Sequence, residues 1–134
     1  MKQEKSGKIR ILVVEDDENT RDVYCKALSI NGFEALCAVN GVDGLKKAIE
    51  EVPDLILLDI LMPIMDGFEM LKELRKQEDP IRKIPVIMLT NLSADSEDII
   101  KKVADTGPVY YIVKASLSIK QLMDKVKEVL KQRS

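Results

Sequence analysis

Acidic side chains follow two of the apolar runs that are typical of buried strands. Glu15, Asp16 and Asp17 come directly after the first such run, and Asp59 comes directly after the third. Carboxylates that are brought to one place repel each other and raise one another's pKa unless a cation neutralises them. Because these side chains offer only oxygen ligands, we expect a hard cation, Mg²⁺ in preference to zinc or copper.

The acidic run also has an ordinary structural interpretation. Carboxylates at the start of a helix complement the helix dipole, and Glu15–Glu18 taken alone fits that role. A helix start does not explain Asp59 at the end of an apolar strand, nor Lys114 after the fifth apolar run. Thr90 and Asn91 follow the fourth run. The combination favours a metal site over a simple helix start.

Five short apolar runs alternate with helical patterns along the chain. We predict strands at 9–14, 34–39, 54–58, 85–89 and 109–113. Strands and helices that alternate with short links form a parallel sheet with helices on both faces, which is an α/β fold. Ligand sites of such sheets lie beyond the carboxyl ends of the strands. The polar side chains that follow the strands are therefore expected at one edge of the sheet.

Apolar residues at helical spacing predict five helices. Asn40 is expected to cap the second helix, and Ser118 with Gln121 forms a capping box for the last. The apolar stripes expected to face the core in the first two helices are Val23, Ala27, Leu28 and Ile30, and Val42, Leu45, Ile49 and Val52. The fourth helix is expected around 99–104.

The composition excludes several classes of protein. A chain of 134 residues fits one domain, and a net charge of −2 argues against a strongly basic nucleic-acid binder. No apolar run approaches the ~18 residues that span a bilayer. The sequence contains no histidine, which excludes Ser-His, Cys-His and His-metal chemistry. Cys25 and Cys37 have neither a zinc spacing nor a disulfide framework, so we expect free thiols and a reducing, cytoplasmic location.

Four ordered motifs resemble those of the receiver domains of two-component response regulators. They are ILVVEDDE, LILLDILMPIMDG, VIMLTN and YYIVK. The resemblance defines a receiver domain at 8–132 and leaves 1–7 as a short N-terminal extension. It implies a chemotaxis-regulator-like, flavodoxin-like fold, doubly wound, with five helices and five parallel strands in the order 2-1-3-4-5. Periodicity alone does not give that strand order.

The resemblance also implies a role for the acidic residues. Asp59 matches the aspartate that accepts the phosphoryl group. Asp16 matches the direct Mg²⁺ ligand of the acidic pair, and Glu15 matches its partner, which acts through water. The backbone carbonyl of Leu61 matches a further metal ligand. Mg²⁺ is accordingly the expected cofactor.

Three further residues match positions that respond to phosphorylation. Thr90 matches the switch hydroxyl, which donates a hydrogen bond only when a phosphoryl oxygen is present. Lys114 matches the lysine that supplies a mobile positive charge to the same group. Tyr111 matches the switch aromatic three residues earlier, although an ordinary core or boundary aromatic is an equally good interpretation.

Three residues or pairs depart from the family pattern. Ala115 follows Lys114 where the family usually has a proline after a cis bond, and a cis bond before a non-proline residue costs about 2.5–4 kcal/mol. Asn91 stands where the family usually has a small residue after the threonine. The larger asparagine is expected to narrow access to the phosphoryl site. Gly107-Pro108 reshapes the link before the fifth strand.

The resemblance implies a signalling protein. We expect a stand-alone receiver, with no output domain, that a histidine kinase or phosphotransfer protein phosphorylates. It would signal to a protein partner through the face of the fourth helix, fifth strand and fifth helix, without nucleic-acid or membrane binding. Beyond self-phosphorylation from small donors and self-dephosphorylation, no enzymatic activity is expected.

Two other functions remain as alternatives. An aspartyl-phosphate phosphatase of the dehalogenase type needs an acid two residues after its nucleophile, where this chain has Leu61. A flavodoxin-like flavin or nucleotide carrier needs a loop that cradles phosphate after the first strand, and Glu15–Asp17 would repel phosphate there.

Overall fold

The computed structural model describes residues 7–90, 109–114 and 117–132, and describes only the backbone of Thr90, Val109, Tyr111 and Val113. The elements are β1 (Arg10–Val14), α1 (Glu18–Ile30), β2 (Glu34–Ala38), α2 (Gly41–Glu51), β3 (Leu55–Asp59), α3 (Gly67–Arg75), a 3₁₀ turn (Ile81–Lys83), β4 (Val86–Thr90), β5 (Val109–Val113) and α4 (Ile119–Gln132). The last of these is the fifth predicted helix. The predicted fourth helix, Asn91, Gly107-Pro108 and Ala115 lie outside the described residues.

One parallel sheet organises the chain. Its five strands lie in the order β2-β1-β3-β4-β5, which confirms the expected flavodoxin-like order. The register pairs Val14 with Leu58, Asp59 with Leu89, and Thr90 with Val113. The carboxyl ends of β1, β3, β4 and β5 therefore meet at the same edge.

Two apolar layers cover the sheet. Leu12, Ile56 and Met88 belong to the layer that includes buried residues of α2 and α3. Ile11, Leu57 and Ile87 belong to the layer that includes buried residues of α1 and α4. All five residues of β3 are buried, as expected for a central strand that is covered on both faces.

The buried face of α1 differs from the predicted stripe. Tyr24, Ala27 and Leu28 are buried, whereas Val23 is 49% exposed and Ile30 is 81% exposed. Residues 24, 27 and 28 follow the i, i+3, i+4 spacing of one helix face. The prediction is confirmed for Ala27 and Leu28 and wrong for Val23 and Ile30, because it counted aliphatic residues and omitted the tyrosine.

The buried face of α2 consists of small residues. Gly44 and Ala48 are buried, and a Cβ added at Gly44 would lie 2.9 Å from the Val14 methyl groups and from Met70 Sδ. This close approach of the helix to the sheet leaves no room for large side chains on that face. Three members of the predicted stripe are exposed instead: Val42, Ile49 and Val52.

The predicted helix caps are confirmed. The Asn40 side chain accepts a hydrogen bond of 2.8 Å from the backbone N–H of Asp43 at the start of α2. Ser118 Oγ accepts from the Gln121 N–H, and Gln121 Oε1 accepts from the Ser118 N–H, which completes the capping box of α4. In the described ranges, no helix combines the length and apolar character needed to cross a membrane.

The two cysteines are not free thiols. The structure joins Cys25 of α1 and Cys37 of β2 in a disulfide, with Cα atoms 7.0 Å apart. The expectation of free thiols was wrong because α1 packs against β2, which brings together two residues that are 12 positions apart in the sequence. Both side chains are half-buried.

Candidate functional site

A lysine lies between two buried carboxylates at the carboxyl edge of the sheet. Lys114 directly follows β5, and its Nζ donates hydrogen bonds to Glu15 Oε1 at 3.1 Å and to Asp59 Oδ1 at 3.2 Å. These contacts join the ends of β1, β3 and β5. The expected convergence of polar side chains is therefore present at this edge.

The carboxylates form one cluster. One oxygen from each of Glu15, Asp16 and Asp59 lies within 4.8 Å of the other two. Glu15 is 2% exposed and Asp59 is 6% exposed, whereas Asp16 faces solvent. The cluster thus has two buried members and one that solvent and dissolved ions can reach.

The cluster is electrostatically strained without a cation. Burial and the negative charge of Glu15 raise the pKa of Asp59 from 3.8 to about 6, although Lys114 acts in the opposite direction. Burial alone would lower the pKa of Lys114, but attraction to Asp59 and Glu15 outweighs burial and raises it. Near neutral pH the lysine is charged and Asp59 is mostly ionised.

Two neighbouring elements hold the backbone of the loop that follows β1. The Glu15 N–H donates to the Ala38 carbonyl at the end of β2 at 3.1 Å. The Asp17 N–H donates to Glu15 Oε2 at 3.1 Å. Asp17 also caps α1 by accepting from the Thr20 hydroxyl and N–H, and these hydrogen bonds lower the pKa of Asp17. The loop therefore has a defined shape around Glu15.

Arg21 is a positioning residue that the sequence analysis did not identify. Its Nη1 donates to the carbonyl oxygen of Glu15 at 2.8 Å and lies 3.4 Å from that of Asp16. A positive charge in the first turn of a helix opposes the helix dipole. A basic residue three positions after the acidic run was the signal that could have identified it.

The loop between β3 and α3 follows Asp59. Leu61, whose carbonyl is a candidate metal ligand, lies in this loop with its side chain 63% exposed. Ile64 has φ = 72°, a left-handed conformation that is unfavourable for a β-branched residue. Gly67 begins α3 so close to β3 that an added Cβ would lie 2.5 Å from the Asp59 carbonyl oxygen. The loop is thus folded tightly against the end of β3.

For two expected switch residues, Thr90 and Tyr111, the structure describes the position of the backbone only. Thr90 is the last residue of β4 and pairs with Val113, the residue before Lys114. Tyr111 pairs with Met88 in the interior of β5. The backbone therefore puts Thr90 at the edge of the sheet that carries the acidic cluster, and Tyr111 farther from it along β5.

The donor set suits a hard divalent cation. Three carboxylates supply oxygen ligands only, which is the ligand chemistry of Mg²⁺. Burial, and after it the negative charge of Glu15, raises the pKa of Asp59, and a bound cation would favour the ionised carboxylate. The residues present thus fit the metal that the sequence predicted.

Comparison with known proteins identifies the family of this chain. The profile of the response regulator receiver domain matches residues 11–127. The chain belongs to the response regulator receiver family. Receiver domains of this family are signalling domains that receive phosphoryl groups from histidine kinases, and this assignment supports the phospho-accepting role and not the phosphatase alternative.

Individual relatives agree with the assignment to receiver domains. The chain is 37% identical over 125 residues to a probable transcriptional regulator ycf27 of Porphyridium aerugineum, covering 93% of this chain and 49% of that protein. It therefore spans about half the length of that curated relative. This receiver domain and its longer relative share the matched region.

Solved structures show the same fold. The chemotaxis protein CheY4 of Vibrio cholerae superposes with a TM-score of 0.82 at 27% identity, covering 92% of this chain and 99% of that one. The response regulator TrrA of Thermotoga maritima, solved in complex with Mg²⁺-BeF, gives a TM-score of 0.76 at 35% identity, covering 90% and 98%.

Proposed function

We propose that this receiver domain accepts a phosphoryl group on Asp59 in a Mg²⁺-dependent reaction. The observation that carries the proposal is the position of Lys114, whose ammonium bridges Glu15 and Asp59. A buried carboxylate can attack another anion only when nearby positive charge reduces their repulsion. Lys114 supplies such charge from the protein itself.

Asp59 and Lys114 have distinct roles in the proposed phosphoryl transfer. The Asp59 carboxylate oxygen forms the bond to phosphorus as the bond from phosphorus to the donor's histidine nitrogen breaks. The electron pair of that bond stays on the imidazole. Lys114, which holds Asp59 before transfer, is within reach of the incoming phosphoryl oxygens and stabilises their charge. Burial of Asp59 would limit the access of water to the acyl phosphate and slow its hydrolysis.

The acidic pair would hold the metal. We infer that Asp16, Asp59 and the Leu61 carbonyl bind Mg²⁺ directly and that Glu15 contributes through water. Mg²⁺, when bound, neutralises the cluster and polarises the phosphoryl group. Support comes from the carboxylate cluster and from TrrA, a relative whose structure contains Mg²⁺-BeF.

The response to phosphorylation is proposed to involve Thr90 and Tyr111. A threonine hydroxyl at the end of β4 would donate to a phosphoryl oxygen and draw the following segment toward the site. Tyr111 would follow that movement. The backbone position of Thr90 beside Val113 supports the first part of this proposal.

We further propose the setting in which the domain acts. It would extend over 8–132, which is slightly longer than the matched range of 11–127. Its phosphoryl donor would be a histidine kinase or phosphotransfer protein in the cytoplasm. Its downstream partner would be a protein that contacts the face formed by the predicted fourth helix, β5 and α4, without nucleic acid or membrane. Activity of its own would be limited to self-phosphorylation from small donors and self-dephosphorylation.

Phosphorylation from a small donor tests the proposal. We expect acetyl phosphate with Mg²⁺ to add one phosphoryl group to the intact protein, measured by mass spectrometry and stable in acid but labile in base. Asp59→Asn is expected to abolish the addition. Asp66→Asn is the matched control, since it changes a nearby aspartate that caps α3 and can still accept the capping hydrogen bond. Asp66→Asn is expected to be phosphorylated like the wild type, and addition that persists in Asp59→Asn would contradict the assignment.

A further inference from the structure

A disulfide joins the two elements that hold the metal-binding loop. Cys25 lies one helical turn after Arg21 on α1, and Cys37 directly precedes Ala38 in β2. Arg21 donates to the Glu15 carbonyl, and Ala38 accepts from the Glu15 N–H. Both backbone groups of Glu15 are thus fixed by residues adjacent to the bridge.

We propose that Cys25 and Cys37 form a reversible, redox-sensitive disulfide that tightens Mg²⁺ binding when it is oxidised. This inference rests on the proposed metal site. Fixing α1 relative to β2 restrains Glu15 from both sides before the metal arrives. A ligand set that is already ordered loses less conformational freedom on binding, so the oxidised form binds the metal more strongly.

The bridge is accessible to redox partners. Cys25 lines an open surface depression of about 380 Å³. The other lining residues of this depression are Asp22, Lys26, Ser29 and Ala35. A small thiol or disulfide can therefore reach the sulfur of Cys25 without unfolding the domain. Disulfides that solvent can reach are the labile ones, and those in reducing compartments are transient and redox-sensing.

The redox step balances with a small disulfide as oxidant. The Cys25 thiolate attacks a sulfur of oxidised glutathione, which releases one glutathione and leaves a mixed disulfide on Cys25. The Cys37 thiolate then attacks the Cys25 sulfur, forms the bridge and releases the second glutathione. The two cysteines lose two electrons and two protons, and two glutathione thiols gain them. Excess reduced glutathione reverses both steps.

The first experiment tests the bond without any use of the metal site. The full chain is equilibrated in reduced or oxidised glutathione, free thiols are alkylated, and the intact mass is measured. The sequence contains two cysteines, so we expect two alkyl groups after reduction and none after oxidation. Return of both thiols on adding reduced glutathione to the folded protein would show that the bond is reversible. Two thiols under every condition, or a bridge that reduces only after denaturation, would overturn the proposal.

The second experiment tests the coupling to the metal site. Titration calorimetry with MgCl₂ is expected to give a dissociation constant about threefold or more lower for the oxidised protein, because the loop is ordered beforehand. The Cys25→Ser, Cys37→Ser double variant is the control and is expected to show one constant under both conditions. Equal constants for the oxidised and reduced wild type would overturn the coupling.

A third variant tests the route of the coupling. Arg21→Gln removes the hydrogen bond from α1 to Glu15 and leaves both cysteines in place. We expect its bridge to form as in the wild type, and the difference in Mg²⁺ affinity between its redox states to shrink. A full redox effect in Arg21→Gln would contradict transmission through α1. Absence of Mg²⁺ binding in every form would refute the proposed metal site itself, while the thiol measurement would still report on the bond.

Discussion

Replacing Asp59 by asparagine removes a buried negative charge that the metal-free protein holds at an energetic cost. The pKa of Asp59 rises from 3.8 to about 6, mainly because of burial. A difference of about two pH units corresponds to about 3 kcal/mol at about 1.4 kcal/mol per unit. This value is the upper limit for Asp59→Asn, because the substitution places an amide NH₂ donor where the buried carboxylate has an acceptor oxygen. We therefore expect a gain of about 1–3 kcal/mol at pH 8, or roughly 3–10 °C in Tm.

The pH dependence has a defined sign. A carboxyl whose pKa is higher in the folded state binds its proton more tightly there, so its ionisation destabilises the fold. The cost is fully present above the folded pKa of about 6 and disappears as the pH falls toward 3.8. The advantage of Asp59→Asn is accordingly expected to fall to roughly half at pH 5 and to about a fifth at pH 4.

Urea unfolding followed by circular dichroism, with EDTA present, measures this difference. Asp124→Asn is the control, since its carboxylate is exposed on α4 and pairs only with Lys120 at the surface among the contacts described. That change is expected to alter stability by less than about 1 kcal/mol at any of these pH values. Added Mg²⁺ is expected to stabilise the wild type and not Asp59→Asn. A variant less stable than the wild type at pH 8, or an advantage that does not change with pH, would refute the reasoning.

Three other substitutions test the loops around the site. Asp16→Ala is expected to weaken Mg²⁺ binding on the order of tenfold in calorimetry with no loss of Tm in EDTA, since its carboxylate faces solvent; a large drop in Tm would make Asp16 structural. Gly67→Ala is expected to destabilise the protein by about 1–3 kcal/mol in urea unfolding, because the new Cβ meets the Asp59 carbonyl; a neutral effect would contradict the close approach. Ile64→Asn is expected to raise stability by about 1 kcal/mol, because asparagine tolerates positive φ and the isoleucine side chain is 80% exposed; unchanged or lower stability would count against strain at this position.

The positions of the strands along the sequence and the place of the site were predictable because they depend on local signals. Apolar runs identified the strands, and the polar residues after them mark the edge where Glu15, Asp59 and Lys114 meet. Capping at Asn40 and Ser118 was predictable because a cap involves only the next few residues. The strand order required the family resemblance, since hydrophobic periodicity does not determine which strands are neighbours.

The features that were missed depend on distances between elements. The buried face of α2 contains Gly44 and Ala48 because that helix packs close to the sheet, and a search for large apolar residues selects the wrong side. The pairing of Cys25 with Cys37 depends on how α1 packs against β2. The contact of Arg21 with Glu15 requires the direction of one side chain relative to a loop. None of these quantities is encoded in residue spacing.

The electrostatic cost of the metal-free site also predicts that ligands change its conformation. A ligand shifts an equilibrium only by the difference in its affinity for the two states. Glu15 and Asp59 are buried with one ammonium between them, so Lys114 is attracted by both in the absence of a metal. Neutralising either carboxylate weakens that attraction and frees Lys114 to follow a new anion. The buried charges thus link events at Asp59 to the position of β5, the strand that directly precedes this lysine.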